Sequence, residues 1–260
     1  MHLRKVQATR YVTALREGGS LPAIVEADDS GLYVVKFHGA GQGPLALVAE
    51  VIGGEIGRAL GLEVPELVLL DLDPALDRNE PDQEVQDLLR RSRGLNLAMD
   101  YLPGSINFDP AALARNPGVV DPAIASLAVW FDAFITNVDR TARNTNLLWW
   151  HRQLRFIDHG AAFYFHHNWP DDLAQAAANK FAPIKDHVLL RWAADIQQAA
   201  AVARARLTPA TLEEIVSAVP AEWLGPEPGV RRSGYLTYLK ARLEAASVFT
   251  EEAIRARNLL

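Results

Sequence analysis

Strand-forming and helix-forming residues are segregated along this chain, and no other feature limits its fold so tightly. Segments 9–16, 21–26 and 31–37 are rich in Val, Ile, Tyr and Leu. Turn signals at Glu17-Gly18-Gly19-Ser20 and Asp28-Asp29-Ser30-Gly31 separate them. A Gly-rich patch, Gly39 to Gly43, leads into an expected helix over 45–60, whose apolar face is Leu47, Val51, Ile56 and Leu60 and whose C-cap is Gly61. Strands are expected at 64–72 and 95–101. The charged stretch 73–93, with Pro74 and Pro81, reads as a mobile insertion between them. Beyond Leu102-Pro103-Gly104 the pattern turns helical, apart from a short hairpin of strands 146–150 and 154–158. Segment 123–136 is apolar nearly all round and predicts a helix buried in a core. Helices are also expected over 194–207, 211–219 and 234–257. Strands first and helices afterwards define an α+β class.

At 260 residues the chain suffices for one large domain or a two-lobed one, and 49% of it is apolar. The absence of cysteine excludes disulfides, thiolate metal sites and cysteine nucleophiles. A net charge of −6 argues against binding nucleic acid by general phosphate neutralisation. The first residues lack the apolar core of a signal peptide, and no uncharged apolar run reaches the ~18 residues of a membrane span. A cytoplasmic protein without membrane contact is expected.

Chemistry concentrates in Asn137-Val138-Asp139-Arg140-Thr141-Ala142-Arg143-Asn144 and in Ile157-Asp158-His159-Gly160. The first loop leaves the apolar helix and enters the hairpin; the second motif ends that hairpin. Two carboxylates and a carboxamide converging there would repel one another without a cation. Transfer of a phosphoryl group from a nucleotide asks for this set: a carboxylate at the incoming hydroxyl, and an amide with a carboxylate to hold Mg²⁺ against phosphates. The plain alternative is a polar helix-end loop in which Asp139 caps and Asn144 turns.

Other residues carry paired readings. Lys36, inside Leu32-Tyr33-Val34-Val35-Lys36-Phe37, either reaches solvent from an edge strand or grips nucleotide phosphates while paired to a helix carboxylate. Glu50 and Glu55 are the candidates for that partner, and their spacing turns only one toward the strand. Gly18, Gly19 and Ser20 either close backbone amides over phosphates or form a hairpin turn. The patch Gly39 to Gly43 is a rival, ranked lower because it lacks a Walker-type ending. Met99 and Tyr101 would border the connection between lobes, with backbone groups facing an adenine edge. Asp132, on the buried helix, reads as a structural network member.

One prominent helix in a β-rich first piece, a single connecting strand and a helical second piece are the layout of a two-lobed protein-kinase-like fold. The expected lobes are 1–102, binding nucleotide, and 103–260, carrying the catalytic loop and a helical bundle. At Asp139-Arg140-x-x-x-Asn144, Glu50, Leu60-Gly61-Leu62 and Val64-Pro65-Glu66 the chain resembles HipA-like kinases, and more distantly phosphatidylinositol kinases. The resemblance runs over about residues 18–165. It implies Asp139 as catalytic base, Asn144 and Asp158 as Mg²⁺ ligands, and Lys36 as the phosphate-gripping lysine with Glu50 as its partner. Arg140 would stabilise either the loop or the transferring phosphoryl group. The chain departs from the family where Thr141 replaces a loop histidine and His159 stands for phenylalanine. It is also shorter than full-length HipA toxins, so neither their DNA-binding antitoxin nor their protein substrate is carried over. The expected activity is an ATP- and Mg²⁺-dependent kinase acting on a hydroxyl, on a protein Ser or Thr or on a small molecule. A non-catalytic nucleotide-binding scaffold is the alternative; a pyridoxal phosphate enzyme has little support, since Lys180 and Lys185 lie in no cofactor context.

Overall fold

In the computed structural model, which describes residues 2–15, 21–73, 76, 82–113 and 117–260, the first strands curl into a closed barrel. Strands β1 (Lys5–Ala14), β2 (Ala23–Ala27) and β3 (Leu32–Lys36) follow one another antiparallel. Helix α1 (Gly43–Ala59) then leads to β4 (Leu67–Leu72), which returns parallel to β1 and closes the ring. Helix α2 (Gln83–Arg91) precedes β5 (Gly94–Asp100), which fills the place between β3 and β4. Closure removes the exposed edge that an open sheet would carry. The interior is apolar and small: Val6, Ala8, Val25, Tyr33, Val35, Val68, Leu70 and Ala98 pack together.

The stretch 73–93 is not simply an insertion. Its second half is α2, begun by Asp82, whose carboxylate accepts from the Glu84 amide at 2.9 Å. Val85, Leu88 and Leu89 recur at helical spacing and are buried in the barrel cluster, so a highly charged segment still folds through one narrow apolar stripe.

Helix α1 ends as its glycine dictates. Gly61 has φ of +80°, and the Leu62 amide reaches back to the Gly57 carbonyl at 2.9 Å, a Schellman closure. Gly53 serves close approach instead: a Cβ there would lie 2.8 Å from Cβ of His159.

The second half begins with β6 (Ile106–Asn107), α3 (Pro110–Leu113) and α4 (Pro122–Ile135). Strands β7 (Leu147–Trp150) and β8 (Gln153–Phe156) form the expected hairpin, and β6 adds a third strand to it. Helices α5 (Leu173–Ala177), α6 (Ile196–Arg206), α7 (Pro209–Ser217), α8 (Pro228–Glu244) and α9 (Ala246–Arg257) complete the fold. The expected single helix over 234–257 is therefore two, broken at Ala245 without Gly or Pro, because α9 turns to pack on α4. Trp130 stacks on Phe134 at 5.2 Å between ring centres, meets Phe249 of α9 at 5.4 Å, and donates to Thr250 Oγ1 at 3.0 Å.

The carboxyl end of α4 is held by a buried cation. Arg242 donates to the carbonyls of Phe134 at 3.2 Å, Ala133 at 2.6 Å and Ala177 at 2.6 Å, and to that of Asn179. Burial lowers its pKa to about 10, so it remains charged at neutral pH beside the negative end of the helix dipole.

Because Phe134 is fully enclosed by these rings, Phe134→Ala should lower the unfolding free energy by about 3–5 kcal/mol. Urea titration followed by tryptophan fluorescence measures this; a loss under about 1 kcal/mol would mean α4 is not the packing centre.

Candidate active site between barrel and helices

The site is built where β3 and α1 of the barrel half face two loops of the helical half. A cavity of about 170 Å³ is lined by Lys36, Glu50, Asp139, Asn144 and Asp158, together with Pro22, Ala40, Gln42, Gly43 and Ala161. Lys36 ends β3, which is flanked by β2 and β5, so it is not an edge-strand lysine. Its ammonium contacts Glu50 Oε1 and, at 2.7 Å, Asp158 Oδ1. Burial pulls its pKa down, but Glu50 and Asp158 outweigh that and hold it above the ordinary lysine range.

Glu50 lies on the face of α1 that also carries Ala46 and Gly53 toward the loop at 158–160. Besides the ammonium, its Oε1 accepts the Gly160 amide at 2.8 Å. Burial raises its pKa, and the Lys36 charge more than reverses this, leaving the carboxyl well below the usual glutamate range. Glu55, the other candidate, points to a different side, 3.6 Å from Arg58, and burial raises its pKa.

Asp158 lies two residues beyond β8 rather than at its end, with φ of +56°. A left-handed aspartate costs of order 1 kcal/mol and turns the carboxylate off the strand line, toward Lys36. His159, in the next position, packs edge-on to Phe131 at 5.6 Å with Nδ1 3.7 Å from Glu50 Oε2.

The loop after α4 is held by amides. Thr136 closes the helix in the left-handed conformation. The Asp139 amide then donates to Asn137 Oδ1 at 3.1 Å, and the Thr141 amide to the Asn144 carbonyl at 2.9 Å. Asp139 Oδ2 accepts from Asn144 Nδ2 at 2.7 Å and from Asn146 Nδ2 at 3.2 Å. Asn146 was not singled out in the sequence. Its signal is an asparagine placed just before an apolar strand, which here takes φ of +48°.

Of the two roles expected of Arg140, it takes that of holding the loop and is not placed at the reacting centre. It is fully buried, donates to Asp132 Oδ2 at 2.6 Å and to Ile157 O at 3.2 Å, and also bonds Asn146 O. It stabilises the loop from behind and does not reach the cavity. Asp132 is the structural network member expected, also accepting from Asn137 Nδ2 at 2.9 Å. Burial raises the Asp132 pKa, while Arg140 and His187 reverse that and hold it well below the normal aspartate range.

Met99 and Tyr101 also lie outside the cavity lining. Met99 packs on the core, and the amides of Asp100 and Tyr101 are taken by Glu66 O and Leu32 O at 2.9 Å, so those groups serve the sheet. Gly18, Gly19 and Ser20 lie outside the described residues. Of the rival patch, Ala40, Gln42 and Gly43 line the cavity, and Gln42 starts α1 with no side-chain cap.

Comparison with known proteins follows this geometry. The family model described as HipA-like kinase matches residues 9–248. No curated protein matches the chain. Among solved structures, the Helicobacter pylori proinflammatory kinase CtkA superposes with a TM-score of 0.58 at 15% identity, over 95% of this chain and 97% of that one. This likeness identifies the fold as protein-kinase-like. A Golgi casein kinase with Mn/ADP bound aligns with a TM-score of 0.47 at 13% identity, over 94% of this chain and 73% of that one.

The depressed carboxyls set an acid limb. Glu50 and Asp132 bind protons near 4.5 and 3.8 in their ordinary state and only at lower pH when folded. Their contribution to stability is whole above those ordinary values and is lost as pH falls toward the folded ones. Chemical denaturation at stepped pH should show stability declining below about pH 4.5, less steeply in Glu50→Gln. An unchanged slope in that variant would contradict the pairing.

Proposed function

The chain belongs to the HipA-like kinase family, and on that premise we propose that it transfers a phosphoryl group from ATP to a hydroxyl acceptor, with Mg²⁺ as the ion. The observation carrying this reading is that Lys36, Glu50, Asp139, Asn144 and Asp158 line one cavity. Asp139 is the group that orients the acceptor hydroxyl and takes its proton. Two neutral amides fix its direction while leaving its charge in place. Lys36, kept charged by Glu50, offsets phosphate charge. The first turn of α1, with Gln42 and Gly43, supports phosphates at the same wall.

The residues present fit a hard divalent cation. Asn144 turns its Nδ2 toward Asp139, which leaves Oδ1 as its ligand end, and Asp158 offers a half-exposed carboxylate. Among the described residues no cluster of three or more His, Cys, Asp or Glu is arranged to hold a metal alone. That suits Mg²⁺, which keeps several waters and takes one or two protein oxygens together with substrate phosphates. When bound, the ion supplies charge that counters the phosphates during transfer.

The division of labour follows the lobes, residues 1–102 holding the nucleotide and 103–260 presenting Asp139. A protein Ser or Thr is the acceptor favoured by the family, with a small molecule next.

Asp139→Asn keeps the shape and removes the proton acceptor. It should lower phosphoryl transfer at least about 100-fold, while the thermal shift given by ATP and Mg²⁺ stays near wild type. Transfer of labelled phosphate to casein or to the protein itself, beside a thermal-shift titration, measures both. Wild-type turnover in the variant would remove Asp139 from the chemistry. Nucleotide binding without any transfer by the wild type would instead favour a scaffold.

A further inference from the structure

The loop carrying Asp139 is gripped by a second segment, remote in sequence, to which the family resemblance gives no part. Residues 181–190 run behind it. Thr141 forms a β-bridge with His187, and the Val188 amide donates to the Arg140 carbonyl at 3.0 Å. The imidazole of His187 then reaches the buried carboxylate under the loop: Nε2 lies 2.8 Å from Asp132 Oδ2.

The tautomer follows from the other ring nitrogen. Nδ1 accepts the Leu189 amide at 3.1 Å, so it carries no proton, and Nε2–H donates to Asp132. His187 is therefore held at both ends, by its own chain and by α4. It shares Oδ2 with the Arg140 guanidinium, and Asn137 takes Oδ1. One carboxylate thus receives groups from both sides of Asp139, Asn137 before it and Arg140 after it. His187 locks the third direction.

From this arrangement we infer that His187 is a positioning residue for Asp139: by donating to Asp132 and pairing with Thr141 it sets the angle at which the loop presents the Asp139 carboxylate to the cavity. Two independent contacts fix the loop in the same place, the bridge to Thr141 and the ring bond to Asp132. Removing the ring would leave the Lys36 and α1 side of the cavity in place and would loosen the loop that carries Asp139 and Asn144.

The inference rests on the kinase reading for its catalytic arm, so the test carries a second arm that does not. His187→Ala deletes the donor, and His187→Gln returns an N–H near the place of Nε2. In phosphoryl transfer, His187→Ala should lower kcat by about 10- to 100-fold with a much smaller change in KM for ATP, and His187→Gln should recover most of the loss. In hydrogen exchange of the protein without nucleotide, the Thr141 amide, bonded to Asp139 O and Asn144 O, should lose protection at least about ten-fold in His187→Ala and regain it in His187→Gln.

Equal loss of kcat in both variants, or a matching rise in KM for ATP, would overturn the positioning role. So would Thr141 protection unchanged in the alanine variant. Faster exchange with kcat intact would overturn it too. Should the wild type transfer no phosphate at all, the kinase reading fails and the exchange result alone decides whether His187 holds the loop. Should His187→Ala not fold, the comparison of His187→Gln with His187→Asn decides, because asparagine is too short to reach Asp132. Parity of those two in kcat and Thr141 protection would refute it.

Discussion

The junction of barrel and helices at the cavity hangs on one buried carboxylate, that of Glu50. It binds the Lys36 ammonium from the barrel and the Gly160 amide from the helical half through the same oxygen. A charged pair taken out of water is costly, and the cost is recovered only when further hydrogen bonds satisfy what remains. Here the remaining partners come from the helical half: Asp158 supplies the second contact to the ammonium, and Gly160 supplies one more to the carboxylate. Pulling the halves apart would take both partners from the pair and leave its burial uncompensated until water replaced them. The electrostatics of this pair therefore constrain how the barrel sits on the helices as well as what the cavity can bind.

The same logic recurs behind the other loop with a different outcome. Asp132 is fully buried on an apolar helix, yet it is matched by a guanidinium, an imidazole and a carboxamide. This cluster has no access to the cavity, and its charges cancel within it. The Lys36 cluster is less closed: Asp158 is about half exposed, and the ammonium faces the open volume. One cluster is closed off from the cavity, and the other retains capacity for additional ligands. That difference in exposure separates a structural network from a binding one more reliably than the identity of the residues does.

Several of these relations were readable in the chain and others were not, for identifiable reasons. A lysine within Leu32-Tyr33-Val34-Val35-Lys36-Phe37 stands out because its surroundings demand a partner, and a helix following it narrows the choice to Glu50 or Glu55. Deciding between them needs the rotation of α1, which is set by packing of Gly54 on Leu67 of the barrel and of Gly53 on His159 of the other half and is invisible locally. Which of its two roles Arg140 takes is hidden for a related reason. Residues adjacent in a loop have no periodic relation, so Asp139 faces the cavity while its neighbour faces the core. Helix α2 was hidden because its stripe of Val85, Leu88 and Leu89 is too narrow to stand out among charges until a barrel end exists to receive it. Nothing local marks His187 either, since its bond spans 55 residues. The patch at Gly39 to Gly43 carries no Walker-type ending, and its place on the cavity wall follows from its position between β3 and α1.

The two aspartates at the cavity are held by donors of different kinds, and the difference has chemical content. Asp139 is oriented by carboxamides, which carry no net charge, so its negative charge stays available to whatever approaches. Asp158 is oriented by an ammonium, which balances it; a cation arriving there competes with Lys36 for the same oxygen. An incoming polyphosphate relieves that competition, because it brings negative charge for the ammonium as the carboxylate turns to the metal. On the proposed reading, cation and phosphate would therefore be favoured together and each less so alone. In such a site, coupling between the two ligands follows from charge balance among Lys36, Glu50 and Asp158, with no movement of the lobes required.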